Sequence, residues 1–262
     1  MTATTGRKAI LVVSFGTSFA ETRAKTIDRI EEDIAGAFPD CRIYRAWTSK
    51  VIIAKLMRRD NIQIPTVKDA VSQMLSDGIT HVVVQPTHLL GGIENQQMKE
   101  EIESSRASFS SLSFGAPLLA ATADCRQTIR AVMKELPRLK EDEALVFMGH
   151  GTSHEANAVY PVLDRMLKDE GYPRAFLGTV EGCPTFDTLL KRVSLLCPKK
   201  IYLVPFMVVA GDHALHDMSG EDEASWQSRF RAAGFQTECI LKGLGEYPAV
   251  RRLYIEHARQ AS

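Results

Sequence analysis

Two histidines stand where an imidazole would be pushed out of the chain and into solvent. In MGHGTSHEAN (148–157) a strand-like run ends at Met148, Gly149 and Gly151 flank His150, and a helical pattern follows with Ser153 as its expected N-cap. In VPFMVVAGDHALHDMSG (204–220) a strongly apolar run ends in Gly211 and Asp212, which sets His213 at another strand-to-loop edge. Asp212 and Asp217 are placed to orient an imidazole by hydrogen bonding. Glu181, in GTVEG (178–182), closes a third apolar run, and reads either as a turn residue or as a third ligand. Two imidazoles and a carboxylate make a nitrogen and oxygen set that suits Co2+, Ni2+, Zn2+ or Fe2+ and is too soft for Mg2+ or Ca2+. Ligand type does not choose among the first four. His154 is a weaker ligand candidate, because His150 precedes the helix on which His154 would sit, and His216 is open between supporting a ligand and facing water.

QPTHLLGGIE (85–94) adds His88 and Glu94. Glu94 reads either as a first-turn helix residue favoured by the dipole or as a base beside the metal. SFGTS (14–18) is a turn of small hydroxylic residues ahead of a helix, suited to hold an anion on backbone N–H groups and on Ser14, Thr17 and Ser18. It lacks the lysine of a P-loop, which disfavours a nucleoside triphosphate. Gly149-x-Gly151 and Gly243-x-Gly245 have His154 and Pro248 where a dinucleotide fingerprint needs its third glycine, so a nicotinamide enzyme fits poorly. A phosphoryl transferase using His150 as nucleophile is weak as well, since Gly149 stands where an arginine would bind phosphate.

The elements that position these residues follow from periodicity. Short apolar, β-branched runs at 9–14, 41–46, 81–85, 144–148, 174–179, 201–204 and 237–241 predict strands covered on both faces. Amphipathic stretches at 21–38, 66–76, 156–170, 186–196 and 222–233 predict the helices between them, and 246–261 a last one. Alternation of this kind gives an α/β fold with parallel sheets. The chain also repeats itself. AILVVSFGTS (9–18) matches ALVFMGHGTS (144–153), which sets Phe15 against His150, and aligning Pro86 with Pro205 sets Glu94 against His213. Two similar lobes are expected, residues 1–121 and 122–262, with a cleft between them and a last helix able to cross back onto the first lobe.

Composition excludes several classes. Of 262 residues 45% are hydrophobic and 24% charged, as in an ordinary globular protein. Lys plus Arg (32) balances Asp plus Glu (32) with no basic run, so nucleic acid is not an expected partner. No apolar stretch approaches the ~20 residues of a membrane span, and the opening residues lack a secretory pattern, so a cytoplasmic location is expected. Cys41, Cys125, Cys183, Cys197 and Cys239 are scattered, and are expected to be reduced and mostly buried.

Taken together, SFGTS, QPTH, GHGT-H-AN, TVEG and AGDHA-x-x-DM-x-G resemble the anaerobic, class II cobalt chelatases, from about Lys8 to His257. The resemblance implies two flavodoxin-like lobes in a chelatase-type fold, and insertion of Co2+ into sirohydrochlorin without nucleotide hydrolysis. It implies metal ligands at His150, Glu181 and His213, with Glu94 facing the same cleft. No cofactor is implied beyond the substrate metal, although Fe2+, Ni2+ or Zn2+ would suit the same ligands. A homo-oligomer is implied, while an iron or nickel chelatase, or a metal or tetrapyrrole carrier, are the alternatives. Insertion must remove two pyrrole protons while the metal sheds water. His150, Glu181 and His213 are therefore expected to hold the ion, and Glu94, with His88, to accept protons. Metal binding needs deprotonated imidazole, so activity is expected to fall in acid. Arg45 and Lys50 read either as anchors for the carboxylates of the tetrapyrrole or, more readily, as solvated surface residues.

Overall fold

The computed structural model describes residues 7–262, so the six residues that open the first expected lobe lie outside the described residues. The chain divides into two compact units: residues up to Ala121 together with Pro248–Ser262, and Thr122–Tyr247.

The first unit is a parallel sheet of β1 (Arg7–Ser14), β2 (Arg42–Trp47), β3 (Ile79–Pro86) and β4 (Ser111–Phe114) in the order β2-β1-β3-β4. Its helices are α1 (Ala20–Lys25), α2 (Ile27–Ala37), α3 (Lys50–Asp60), α4 (Val67–Ser76) and α5 (Ile93–Glu103). Residues 9–13 of β1 are fully buried, as a strand covered on both faces requires. The single helix expected over 21–38 is broken at Thr26, whose hydroxyl bonds back to the Thr22 carbonyl at 2.6 Å and whose backbone leaves helical geometry. α4 starts with a full capping box between Thr66 and Asp69.

The second unit repeats the plan with β5 (Glu143–Gly149), β6 (Ala175–Thr179), β7 (Lys200–Pro205) and β8 (Gln236–Cys239), ordered β6-β5-β7-β8. α6 (Thr122–Met133), α7 (Val159–Asp169), α8 (Phe186–Ser194) and α9 (Trp226–Ala232) accompany them. Phe186, Leu189, Val193, Trp226 and Phe230 pack on the strand residues of one face. Behind β6, Asp164 of α7 is a buried hub. It accepts from the Leu177 N–H at 2.9 Å, Lys168 Nζ at 2.9 Å and Arg192 Nη2 at 2.6 Å. Both cations also lie over the Phe176 ring.

The chain closes with α10 (Pro248–Gln260), which packs on α2 and β3 of the first unit. Arg251 pairs with Asp33 at 2.6 Å, and the buried Tyr254 hydroxyl donates to the Thr87 carbonyl at 2.9 Å.

Hydrogen bonding repeats residue for residue. Val13 pairs with Pro86 in one sheet and Met148 with Pro205 in the other. The Thr87 N–H then bonds Val13 O at 2.8 Å, and the Phe206 N–H bonds Met148 O at 2.7 Å. In each sheet the first strand lies between the strand that follows it and the strand after that. The crevice at the carboxyl end of such a switch point is where ligands of open α/β sheets bind.

All five cysteines are free thiols, but only Cys125 is buried. Cys183 and Cys197 are exposed because each falls in a turn that follows its element rather than inside it, Cys197 in a left-handed conformation (φ 44°).

Candidate metal-handling site

In the second unit, the loops after β5, β6 and β7 carry His150, Glu181 and His213. The loop after β5 is fixed by its neighbour: the Val180 N–H bonds Gly149 O at 3.1 Å and the Glu181 N–H bonds His150 O at 2.8 Å. Asn157, unassigned in the sequence reading although it closes the GHGT-H-AN run, joins the same two loops. Its Oδ1 accepts from the Thr152 N–H at 3.2 Å and its Nδ2 donates to Cys183 O at 3.0 Å.

The glycines around His150 serve different needs. Gly151 has φ 84°, and a Cβ there would meet the Gly182 nitrogen at 2.8 Å. Gly149 makes room instead, since its Cβ would lie 2.5 Å from the Tyr160 ring. Ser153 is not the cap of the following helix. The turn begins at Glu155, so the residue adjoining it is His154, whose Nδ1 accepts from the Ala156 N–H at 3.1 Å. His154 thus spends that lone pair on the backbone.

His213 does not sit at a strand end either. β7 stops at Pro205, and the apolar run continues as a loop whose backbone bonds to Leu244 and Gly245 (2.8 and 2.9 Å). This loop delivers His213 to the start of a π-helical turn, Ala214–Met218.

The two rings converge. Their centroids are 4.5 Å apart with planes at 86°, and the side chains are 44% and 35% exposed, so neither is sealed in the core. Metal–nitrogen bonds of ~2.1 Å allow rings this close to share one ion. His150 Nδ1 lies 2.8 Å from the Gly151 carbonyl oxygen, which can only accept, so Nδ1 carries the proton. His213 Nδ1 lies 2.5 Å from Asp217 Oδ2 and donates to it in the same way. Each ring therefore keeps its Nε2 lone pair for a metal or a proton.

Glu181 Oε2 comes within 4.0 Å of His150 Nδ1, an electrostatic neighbour on an exposed side chain. Among the described residues no group of three or more His, Cys, Asp and Glu side chains is arranged as a ready-made metal cage. His216 is exposed, with Nδ1 near both the backbone oxygen (3.1 Å) and Oδ1 (3.2 Å) of Asp212.

In the first unit, Glu94 occupies the first turn of α5, where the dipole favours a carboxylate. Two hydroxyls of SFGTS already accept internal hydrogen bonds, Ser14 from Thr87 at 2.8 Å and Thr17 from the Phe19 N–H at 3.3 Å, and Ser18 is buried. Phe15, which the repeat places opposite His150, is exposed. Arg45 is drawn into ion pairs with Asp28 and Glu31, both at 2.5 Å, and is not a free anchor for an anionic substrate.

His88 is half-buried, but both its ring nitrogens are shut off from solvent without a hydrogen-bond partner. Burial lowers its pKa from 6.5 to about 4, against a smaller upward pull from Glu94. The unfolded chain therefore holds a proton on this ring between pH 6.5 and 4 that the folded chain lacks. Stability from this residue is complete above pH ~6.5 and is lost as pH falls toward 4. Between pH 7.5 and 5 the loss is about 2 kcal/mol. His88→Phe is expected to remove that part of the acid sensitivity in urea melts at the two pH values. Equal slopes for parent and variant would refute it.

The sequence matches the profile described as "Cobalt chelatase (CbiK)" over residues 8–262. The chain belongs to the CbiK cobalt chelatase family. It is 41% identical over 255 residues to the sirohydrochlorin cobaltochelatase of Salmonella typhimurium, covering 97% of this chain and 96% of that protein. It is 32% identical to sirohydrochlorin cobaltochelatase CbiKC of Nitratidesulfovibrio vulgaris, covering 97% and 90%. The solved sirohydrochlorin chelatase SirB of Bacillus subtilis subspecies spizizenii, in complex with cobalt, shares the fold with a TM-score of 0.64 at 16% identity, over 97% of this chain and 94% of that one. The two-lobed α/β chelatase fold expected from the sequence is thus the fold observed. Among the described residues no helix is long and apolar enough to cross a membrane.

Proposed function

We propose that this family member inserts Co2+ into sirohydrochlorin without nucleotide hydrolysis. The observation that carries the reading is the pair of half-exposed imidazoles, His150 and His213, whose rings adjoin while both Nε2 lone pairs stay free. Family membership and the names of the two relatives support the substrates.

Insertion replaces two pyrrole N–H bonds with metal–nitrogen bonds and releases two protons. In the proposed mechanism His150 and His213 strip water from the incoming ion and hold it, and Glu181 swings from its exposed position to join them. Exposed side chains change rotamer within nanoseconds, so that swing does not limit turnover. Glu94 is assigned the role of proton acceptor. His88, kept neutral at physiological pH by its lowered pKa, is assigned to the substrate as a hydrogen-bonding group. The 14–18 turn is assigned to substrate carboxylates, chiefly through backbone N–H groups, since Ser14 and Thr17 already serve internal bonds. We further propose a cytoplasmic homo-oligomer that uses neither nucleic acid nor a membrane as partner, and that admits Fe2+, Ni2+ or Zn2+ at the same ligands.

The test is a steady-state assay, with no ATP added, following the absorption of sirohydrochlorin with Co2+, Fe2+ and Ni2+ in turn. Many turnovers per chain, fastest with Co2+, are expected. Change limited to one equivalent would make the protein a carrier, and a faster rate with iron or nickel would reassign its metal.

A further inference from the structure

The two imidazoles are not held alike. His150 gives its Nδ1 proton to a neutral peptide carbonyl, whereas His213 gives its own to a carboxylate, at 2.8 and 2.5 Å respectively. A carboxylate acceptor fixes the ring and its tautomer more strongly, and so keeps the Nε2 lone pair aimed at a metal. We propose that Asp217 is a positioning residue that makes His213 the dominant ligand for the incoming divalent ion and leaves His150 the weaker, releasing one. The inference rests on the function proposed above and deepens it.

The local backbone supports the division of labour. Ala214 and Met218, on either side of this turn, are fully buried in the core of the second unit, which anchors the segment. The wide turn closes through the Ser219 N–H to Ala214 O at 3.2 Å, and the Ser219 hydroxyl bonds the same carbonyl at 2.8 Å. Asp217 then lies one turn from His213. Asp212, although adjacent to His213 in the chain, turns to His216. The sequence offered two aspartates for this work, and the winding of the turn selects one.

The experiment uses the full chain carrying Asp217→Ala or Asp217→Asn. Co2+ binding is measured by calorimetry without tetrapyrrole, and KM is measured separately for Co2+ and for sirohydrochlorin. Asp217→Ala is expected to weaken Co2+ binding by roughly 10–100-fold while leaving the sirohydrochlorin KM unchanged. Asp217→Asn, whose amide oxygen still accepts the Nδ1 proton without the charge, is expected to fall between Ala and the parent. An Ala variant that binds Co2+ within about twofold of the parent overturns the inference, and so does one in which both KM values rise together. If the parent itself inserts no metal, the functional reading falls while the binding comparison still decides the role of Asp217.

Discussion

His150→Ala and His213→Ala are each expected to lower metal insertion at least about a thousandfold, equivalent to ~4 kcal/mol at the transition state. In the proposed mechanism both rings are needed, because a single imidazole would not replace enough of the ion's water to hold it in place while the macrocycle closes on it. The effect should be confined to chemistry. Both side chains are 35–44% exposed, and neither belongs to the hydrophobic core of the second unit. Truncating them should therefore cost no more than ~0.5 kcal/mol of stability, as at other surface positions. Initial rates of Co2+ insertion, set beside thermal melts of the same preparations, separate the two quantities. Near-normal insertion by both variants would end the assignment.

Asp164→Ala is expected to do the reverse, costing about 3–5 kcal/mol of stability without entering the reaction. Its carboxylate is buried and accepts from Lys168, Arg192 and the Leu177 N–H. Burial already lowers the Lys168 pKa, against the support it receives from Asp164. Alanine would leave that cation and one strand N–H uncompensated beside Phe176, in a place water reaches poorly. Urea unfolding measures the loss, and the activity of the fraction that remains folded should equal the parent's. A loss under ~1 kcal/mol would mean that the lysine and arginine reach water without their partner.

These two expectations separate what the chain needs to fold from what it needs to act, and the separation has a pattern. Residues behind the strands such as Asp164 are buried and paired, while His150, Glu181 and His213 lie beyond the strand ends of the second unit with side chains open to solvent. A scaffold of this kind lets the loops carry chemistry without spending the stability of the sheets.

By itself the sequence determined the parallel sheets, the internal repeat and the family. Seven of the strands were legible, most plainly β1 and β5, where AILVV and ALVFM are apolar at every position and buried on both faces. The runs at β2 and β8 contain charged residues, and those edge strands are not covered on both faces, contrary to the expectation. β4 was not legible, because SLSF is short and alternates with serine. α3, α5 and α6 were missed for a related reason. In α3 the apolar residues Val51 to Ala54 run together instead of repeating on one face, and only Leu56 is buried; the buried residues of α5 are Asn95, Met98 and Ile102, and those of α6 include Thr128. Motif spacing likewise placed His150 just past the end of β5, though not His213, which lies beyond a loop that follows β7, and the aligned prolines gave the register that the sheets adopt.

Only the tertiary structure decided how those side chains meet. That the two rings lie 4.5 Å apart depends on a loop tied to Leu244 and Gly245, far along the chain. That Asp217 rather than Asp212 takes the His213 proton depends on a π turn pinned by buried Ala214 and Met218. That Arg45 is unavailable, and that His154 rather than Ser153 caps its helix, follows from neighbours that no local pattern names. Periodicity reports which face of an element is buried, because burial repeats along the chain. The direction of a single side chain in a loop does not repeat, and is set by whichever distant backbone group it meets.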